Sequence, residues 1–216
     1  MKHLAEYISE TLLLEAPQSL KHNETGAIVF DIDDTLLRSD PSQIKIYKRV
    51  GDKEIVLTTD EFAKDLDAND PSKEHLFDLR DFKDPVKVYN SIISGTPLLR
   101  NLRILDDYVN AGYEFCFLTA RTHEEAIAHA LDSFLKVRKG GVLREIGEIF
   151  NKTLSAAVSD PAKGYPGATT AEKKANVLRD ICSKYDKVVF VDDDIKNINK
   201  AISLNISNLK VIKAQK

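Results

Sequence analysis

The stretch Ala27-Ile28-Val29-Phe30-Asp31-Ile32-Asp33-Asp34-Thr35 decides the fold class that we predict for this chain. It opens with four consecutive apolar residues and then turns acidic. An apolar run without polar alternation predicts a strand covered by helices on both faces, as at the centre of a parallel sheet. Ligands of open parallel sheets bind beyond the carboxyl ends of the strands. The stretch therefore predicts a buried central strand that carries Asp31 and Asp33 into a functional site.

Similar apolar runs recur along the chain and are separated by amphipathic helical patterns. This alternation predicts right-handed crossovers and a Rossmann-like three-layer α/β sandwich with a parallel central sheet. The later strands are expected at 113–118, 154–158, 187–191 and 209–212.

End signals mark several of the helices. Thr96-Pro97 has the residue types of an N-cap followed by proline in the first turn, and Gly112 suits the end of the same helix. Capping-box spacing predicts two further helix starts, at Thr122 with Glu125 and at Thr169 with Glu172.

One segment breaks the alternation of strands and helices. Residues 44–48 and 55–57 have a strand-like composition and flank Gly51-Asp52, which predicts a hairpin, and an aspartate-rich stretch follows it. We expect a small lid inserted after the first strand, at about 39–94, within a core domain of residues 23–216. The basic residues of the hairpin either meet an anionic substrate or form a solvated face. They are Lys45, Lys48, Arg49 and Lys53.

Composition excludes several other classes of protein. The 216 residues include 31 basic and 34 acidic side chains, a net charge of −3, so no general basic field favours non-specific binding of nucleic acid. Apolar runs are much shorter than the roughly 18 residues of a membrane span, and we expect no membrane contact. Cys116 and Cys182 lack metal-ligand spacing and are expected to be reduced core thiols in a cytoplasmic protein.

Three of the predicted strands end in polar residues. These ends are Asp31-Ile32-Asp33, Thr119-Ala120-Arg121 and Asp192-Asp193-Asp194. If the strands are neighbours, the carboxylates meet at one edge of the sheet, where they repel each other unless a cation lies among them. All-oxygen ligation suits Mg²⁺. Asp193 is a further candidate ligand, although Asp193 or Asp194 is equally suited to cap a helix that starts near Ile195.

A lysine lies on the buried stripe of one predicted helix. At 100° per residue, Lys174 shares a face with Ala171 and Leu178, whereas Lys173 points to the other side. The alternative is that Lys174 extends its charged end to the surface.

Four short motifs, in order, resemble those of the haloacid dehalogenase (HAD) superfamily. The segment from Phe30 to Leu37 looks like its first motif, Asp-x-Asp-x-Thr after an apolar strand. Leu118-Thr119 resembles the second motif, Lys174 the third and Val191-Asp192-Asp193 the fourth. Dehalogenases of this superfamily lack an aspartate at the position of Asp33, so the resemblance implies phosphoryl transfer instead.

The resemblance also implies a role for each of these residues. Asp31 would be the nucleophile that forms an aspartyl-phosphate. Asp33 would be the general acid and base, a task for which neighbouring carboxylates are expected to raise its pKa. Mg²⁺ would be held by Asp31, Asp192 and the backbone carbonyl of Asp33. Thr119 and Lys174 would bind the phosphate.

The sequence allows alternatives for the role of Arg121 and for the activity of the chain. Arg121 either contacts the substrate or pairs with Glu124 or Glu125. The expected activity is a Mg²⁺-dependent phosphomonoesterase acting on a nucleotide or on a terminal phosphate of nucleic acid. The alternatives are a phosphotransferase of the same fold and a non-catalytic, virion-associated or binding protein that uses the HAD fold as a scaffold.

The N-terminal segment, residues 1–22, has an amphipathic helical pattern over positions 4–14. We expect a helix packed beside the sheet. The first fifteen residues are also similar to short segments that direct proteins into the heads of large tailed bacteriophages. That similarity implies a phage-encoded protein in the host cytoplasm or packaged in the virion, with a phage head or assembly partner.

Overall fold

The computed structural model describes Pro17, residues 19–137 and residues 154–215. The helix predicted over positions 4–14 lies outside the described residues. The described residues form ten strands: β1 Gly26–Phe30, β2 Leu37–Arg38, β3 Ile46–Val50, β4 Lys53–Leu57, β5 Phe77–Asp78, β6 Thr96–Pro97, β7 Glu114–Thr119, β8 Ala156–Ala157, β9 Lys187–Asp192 and β10 Leu209–Lys213. They also form six α-helices: α1 Thr59–Lys64, α2 Pro85–Ile93, α3 Leu99–Asn110, α4 Glu124–Val137, α5 Thr170–Cys182 and α6 Ile195–Ser203.

The central sheet has the strand order β10-β9-β1-β7-β8, and every neighbouring pair in it is parallel. This confirms the predicted α/β class with a parallel central sheet. The strand β1 lies in the middle, where Phe30 pairs with Phe117 on one side and with Val191 on the other. The carboxyl ends of β1, β7 and β9 are therefore adjacent.

Helices cover both faces of the sheet, which explains the unbroken apolar run of β1. Ile28 and Phe30 project into a cluster formed with α2, α3 and α4. Ala27 and Val29 project into a second cluster formed with α5 and α6. All five residues of β1 are buried, so neither face of the strand has room for a polar side chain. Cys116 and Cys182 are buried free thiols, as predicted.

The helix-end signals were correct at some positions and wrong at others. Gly112 has φ +94° directly after α3, and Thr169 and Glu172 form the predicted capping box of α5. Thr96-Pro97 does not start a helix, because these two residues pair with Leu37-Arg38 as the antiparallel strands β6 and β2. Thr122 does not cap α4 either, because the helix begins at Glu124 and the backbone N–H of Glu124 donates to Asp160 Oδ2. In both cases a contact with residues distant in the sequence replaces the predicted cap.

Residues 39–84, which we call the insertion segment, follow β2. The predicted hairpin is present as β3 and β4 with Gly51 at φ +60° in the turn, and β5 pairs with the other edge of β3. The helix α2 comes next and packs against α4, with Val88 and Ile92 in the main apolar cluster. None of the described helices combines the length and apolarity that crossing a membrane requires.

Candidate active site

Three carboxylates meet where β1 and β9 end side by side. Asp31 directly follows β1 and its backbone N–H donates to the carbonyl of Val191 at 2.9 Å. Asp192 is the last residue of β9, and Asp193 comes next. One carboxylate oxygen from each of the three aspartates lies within 4.8 Å of the other two. The strand ends thus converge as the sequence predicts.

Lys174 points inward from α5 and bridges two of these carboxylates. Its Nζ lies 2.9 Å from Asp31 Oδ1 and 2.7 Å from Asp192 Oδ2, and its side chain is only 2% exposed. Burial alone would lower the pKa of Lys174, but the charges of Asp31 and Asp192 outweigh it and the pKa is raised. Lys174 is therefore a buried cation and does not reach the surface.

Burial dominates the titration of Asp31. It raises the pKa of the Asp31 carboxyl, and repulsion from Asp192 and Asp33 adds to it, while Lys174 only partly offsets the shift. A second cation at this site would therefore favour the ionised form of Asp31, which is the form that can act as a nucleophile.

Asp192 is fully buried and is oriented by several hydrogen bonds. Its Oδ1 accepts from the backbone N–H of Asp194 at 2.9 Å, and the Asn197 side-chain amide donates to both carboxylate oxygens. Asn197 lies on α6 and was not predicted as a site residue. Asp194 caps α6 by accepting from the N–H of Lys196, which leaves Asp193 for the carboxylate cluster.

Arg121 holds Asp33 in a two-pronged ion pair. The Nη2 of Arg121 donates to Asp33 Oδ1 and its Nε to Oδ2, both at 2.7 Å. The other guanidinium nitrogen, Nη1, donates to Ser91 Oγ at 2.8 Å. Arg121 is 4% exposed, and Ser39 donates a further hydrogen bond to Asp33 Oδ1 at 2.6 Å. The predicted pairing of Arg121 with Glu124 or Glu125 is not present, because its carboxylate partner is Asp33. Contact of Arg121 with a substrate stays a prediction.

The expected direction of the Asp33 pKa was wrong. Partial desolvation raises the pKa of Asp33, but the charge and hydrogen bonds of Arg121 and the hydrogen bond from Ser39 outweigh it, so the pKa is lowered. The neighbouring carboxylates were expected to dominate, yet a guanidinium in direct contact is closer than they are. Ser39 and Ser91 could not be found from spacing, because they lie on different elements and meet Arg121 only in the folded chain.

Thr119 is buried at the end of β7, and its hydroxyl accepts from the backbone N–H of Arg121 at 3.4 Å. It lines the same cleft as Asp31, Lys174 and Asp193. The structure thus brings together all the side chains predicted for the site. The participation of the Asp33 backbone carbonyl stays a prediction.

No family model matches the sequence, and no curated protein matches it significantly.

The donor set suits a hard divalent cation. Asp31, Asp192 and Asp193 supply only oxygen atoms, and the single positive charge of Lys174 offsets one of their three negative charges. A cation in this cluster would lie beside Lys174 and the Asp31 carboxylate, in the cleft that Thr119 also lines. Chemically, the arrangement can bind a doubly charged anion such as a phosphate ester next to a buried carboxylate.

Proposed function

We propose that this chain is a Mg²⁺-dependent phosphomonoesterase of the HAD type that works through an aspartyl-phosphate on Asp31. The observation that carries the proposal is the bridge of Lys174 between Asp31 and Asp192, beside Asp193, at the carboxyl ends of neighbouring parallel strands. A purely structural ion pair would not need a third carboxylate facing the same cleft.

Asp31, Asp192 and Asp193 would hold Mg²⁺, together with the backbone carbonyl of Asp33. Bound there, Mg²⁺ offsets the repulsion between the aspartates and the phosphate and polarises a phosphoryl oxygen.

The first chemical step is attack by Asp31. A carboxylate oxygen of Asp31 bonds to phosphorus while the bond from phosphorus to the leaving oxygen breaks, and Asp33 gives that oxygen a proton. Lys174 and Thr119 hold phosphoryl oxygens during the transfer. In the second step a water oxygen bonds to phosphorus, Asp33 takes the proton of that water, and the bond from phosphorus to Asp31 breaks. The products are the free alcohol, inorganic phosphate and the original enzyme.

The ion pair with Arg121 favours the second of these steps. Arg121 keeps Asp33 deprotonated, which is the form that accepts a proton from water. Donation to the leaving oxygen requires Asp33 to separate from the guanidinium, because Arg121 occupies both of its oxygens. The Asp33 side chain is 46% exposed, so it has room to move and contact with solvent protons.

The substrates that we propose are nucleotides or terminal phosphates of nucleic acid. We propose water as the acceptor, because water can reach the half-exposed Asp33 side chain, and the test below distinguishes hydrolysis from phosphotransfer. All the polar residues that the reaction needs are present, which argues against a non-catalytic protein that uses the fold only as a scaffold.

The test is release of inorganic phosphate from an aryl phosphate by the purified protein, without an added acceptor. We expect release with Mg²⁺ and none in excess EDTA. Asp31→Asn should abolish it without unfolding the protein, because the amide has the same shape but is not a nucleophile. Asp180→Asn, at the exposed far end of α5, is the matched control and should retain full activity. Activity in EDTA, or in Asp31→Asn, would exclude this site, and transfer that needs an acceptor would indicate a phosphotransferase.

A further inference from the structure

A second cleft of about 320 Å³ opens directly beside the carboxylate cluster. Asp33 and Asp34 line both clefts, so the second one begins at the residue proposed to protonate the leaving oxygen. A group that departs from phosphorus on the side of Asp33 would enter this space. The volume lies within the range of small-molecule sites, roughly 300–1,000 Å³.

The outer walls of this cleft are apolar and aromatic. They come from the insertion segment and include Ile44, Ile46, Phe62 and Phe82. Both isoleucines are buried, and the ring of Phe62 is held edge-to-face against Phe77 with centroids 5.1 Å apart. Phe82 packs on the main apolar cluster. These contacts give the cleft a preformed shape that suits a flat ring system.

The charges of the cleft do not favour an anionic leaving group. Its lining has three carboxylates, from Asp33, Asp34 and Asp40, against two guanidinium groups, from Arg38 and Arg121. Arg121 already binds Asp33 and Ser91, and Arg38 lies 3.8 Å from Asp34.

The basic residues of the hairpin do not change this balance, because none of the four is among the described residues that line the cleft. Lys48 instead binds Asp65 and Asp67 within the insertion segment.

We propose that this cleft binds the leaving group of the phosphomonoester and selects an uncharged, ring-bearing alcohol of about nucleoside size. This inference rests on the proposed function and narrows it. A nucleoside monophosphate fits, because its leaving group is uncharged. A nucleoside diphosphate or the phosphorylated end of a polynucleotide does not, because its leaving group brings further negative charge to a lining that already has an excess of carboxylates.

The apolar arm of the test compares Phe62→Ala with wild type on two monoesters, a nucleoside 5′-monophosphate and glycerol 1-phosphate. Both have uncharged leaving groups, but only the first carries rings. We expect kcat/KM for the nucleotide to fall at least about tenfold, because a buried ring contact is lost. For glycerol 1-phosphate the change should stay below about threefold. Val56→Ala, on exposed β4 and outside the lining of the cleft, is the control and should change neither substrate.

The charge arm uses Asp40→Lys, which reverses one charge of the lining without removing an apolar contact. We expect the preference for the nucleoside monophosphate over the corresponding diphosphate to fall at least about fivefold, since like-charge repulsion is removed.

The proposal would be overturned if Phe62→Ala lowered kcat/KM equally for both monoesters, or for neither. It would also be overturned if Asp40→Lys kept the wild-type preference for the monophosphate. These results would leave the phosphatase assignment intact. A wild-type protein that releases no phosphate from any ester with Mg²⁺ would overturn the proposed function and this inference together.

Discussion

Arg121 is the residue whose contacts most constrain the chemistry of Asp33. Its planar guanidinium bonds to both oxygens of the carboxylate and to Ser91 at the same time. A lysine keeps the charge but cannot reproduce this fork. In Arg121→Lys, Asp33 should therefore lose its orientation, while Lys174 and Thr119, which we propose bind the phosphate, stay in place.

We expect kcat of Arg121→Lys to fall about 100-fold, within the usual contribution of a positioned acid or base, with KM changed less than about threefold. Because the water-activating step suffers most, phosphorylated protein should accumulate after an acid quench. Arg103→Lys on the exposed face of α3 is the control. An unchanged kcat would mean that the ion pair is only structural.

Lys174 separates two buried carboxylates that would otherwise face each other. Replacing it by methionine leaves Asp31 and Asp192 without their shared cation. Removing one partner of a buried ion pair costs about 3–5 kcal/mol, so Lys174→Met should lower the free energy of unfolding by that amount in EDTA. Added Mg²⁺ should restore part of it, because the metal supplies the missing charge.

Urea unfolding with and without Mg²⁺ measures both effects. The neighbouring Lys173→Met is the matched control and should change the unfolding free energy by less than about 0.5 kcal/mol. Equal losses in the two variants would show that the bridge contributes nothing specific.

Residues that follow from a periodic pattern were predictable, and residues that meet only in the folded chain were not. Asp31 and Asp192 end apolar strands, and Lys174 lies on an apolar helix stripe, so local sequence was sufficient. Asn197, Ser39 and Ser91 are ordinary polar residues in the sequence. Their function depends on side-chain contacts across different elements, which leave no spacing signal.

At the scale of elements, a capping box marks the start of α5, the helix that carries Lys174. Thr169 accepts from the N–H of Glu172, and Glu172 accepts from the backbone N–H of Thr169. Thr169→Ala should lower the free energy of unfolding by about 1 kcal/mol, the usual cost of losing an N-cap. Thr169→Ser keeps the hydroxyl and should have little effect in the same urea titration. If serine and alanine behaved alike, the cap would not stabilise the helix.

The hairpin of the insertion segment was predicted correctly as an element. Three of its basic residues, Lys45, Arg49 and Lys53, are exposed, as one of the two predicted alternatives has it, but Lys48 is not. Lys48 is 12% exposed and binds Asp65 and Asp67, so it joins the hairpin to the segment after α1. Lys48→Met should speed cleavage of the insertion segment in limited proteolysis, whereas exposed Lys45→Met should not. If Lys48→Met changed KM without speeding cleavage, Lys48 would instead contact the substrate.

Strands that are buried on both faces were predicted correctly, because burial requires an apolar composition. Helix starts that were predicted from only two or three polar residues were not all correct, because those residues form other contacts in the folded chain. The strands β1, β7 and β9 were found because a parallel strand that is covered on both faces is apolar over most of its length. Thr96-Pro97 failed because an N-cap signature is only two residues long. Pairing of that dipeptide with Leu37-Arg38 depends on how the chain returns from the insertion segment, which no local pattern records.

For the whole molecule, the strand order places the carboxylates of distant parts of the chain at one edge of the sheet. A ligand that binds this arrangement binds only the folded chain, and it should therefore stabilise the fold. A ligand that binds one site of the folded chain at a concentration of 100 times its Kd raises the free energy of unfolding by about 2.7 kcal/mol. We expect Mg²⁺ to raise the Tm of the wild-type protein relative to EDTA, with an increment that grows with metal concentration.

Variants of two adjacent aspartates distinguish metal binding from helix capping when Tm is measured with and without Mg²⁺. Asp193 belongs to the carboxylate cluster, whereas Asp194 caps α6. Asp193→Asn should lose most of the Mg²⁺ increment without a lower Tm in EDTA, because removing one of three clustered charges relieves repulsion. Asp194→Asn should retain the full increment, since its side chain is outside the cluster. The same increment in both variants would place the metal elsewhere, and no increment in the wild type would remove the physical basis for a metal at the ends of β1 and β9.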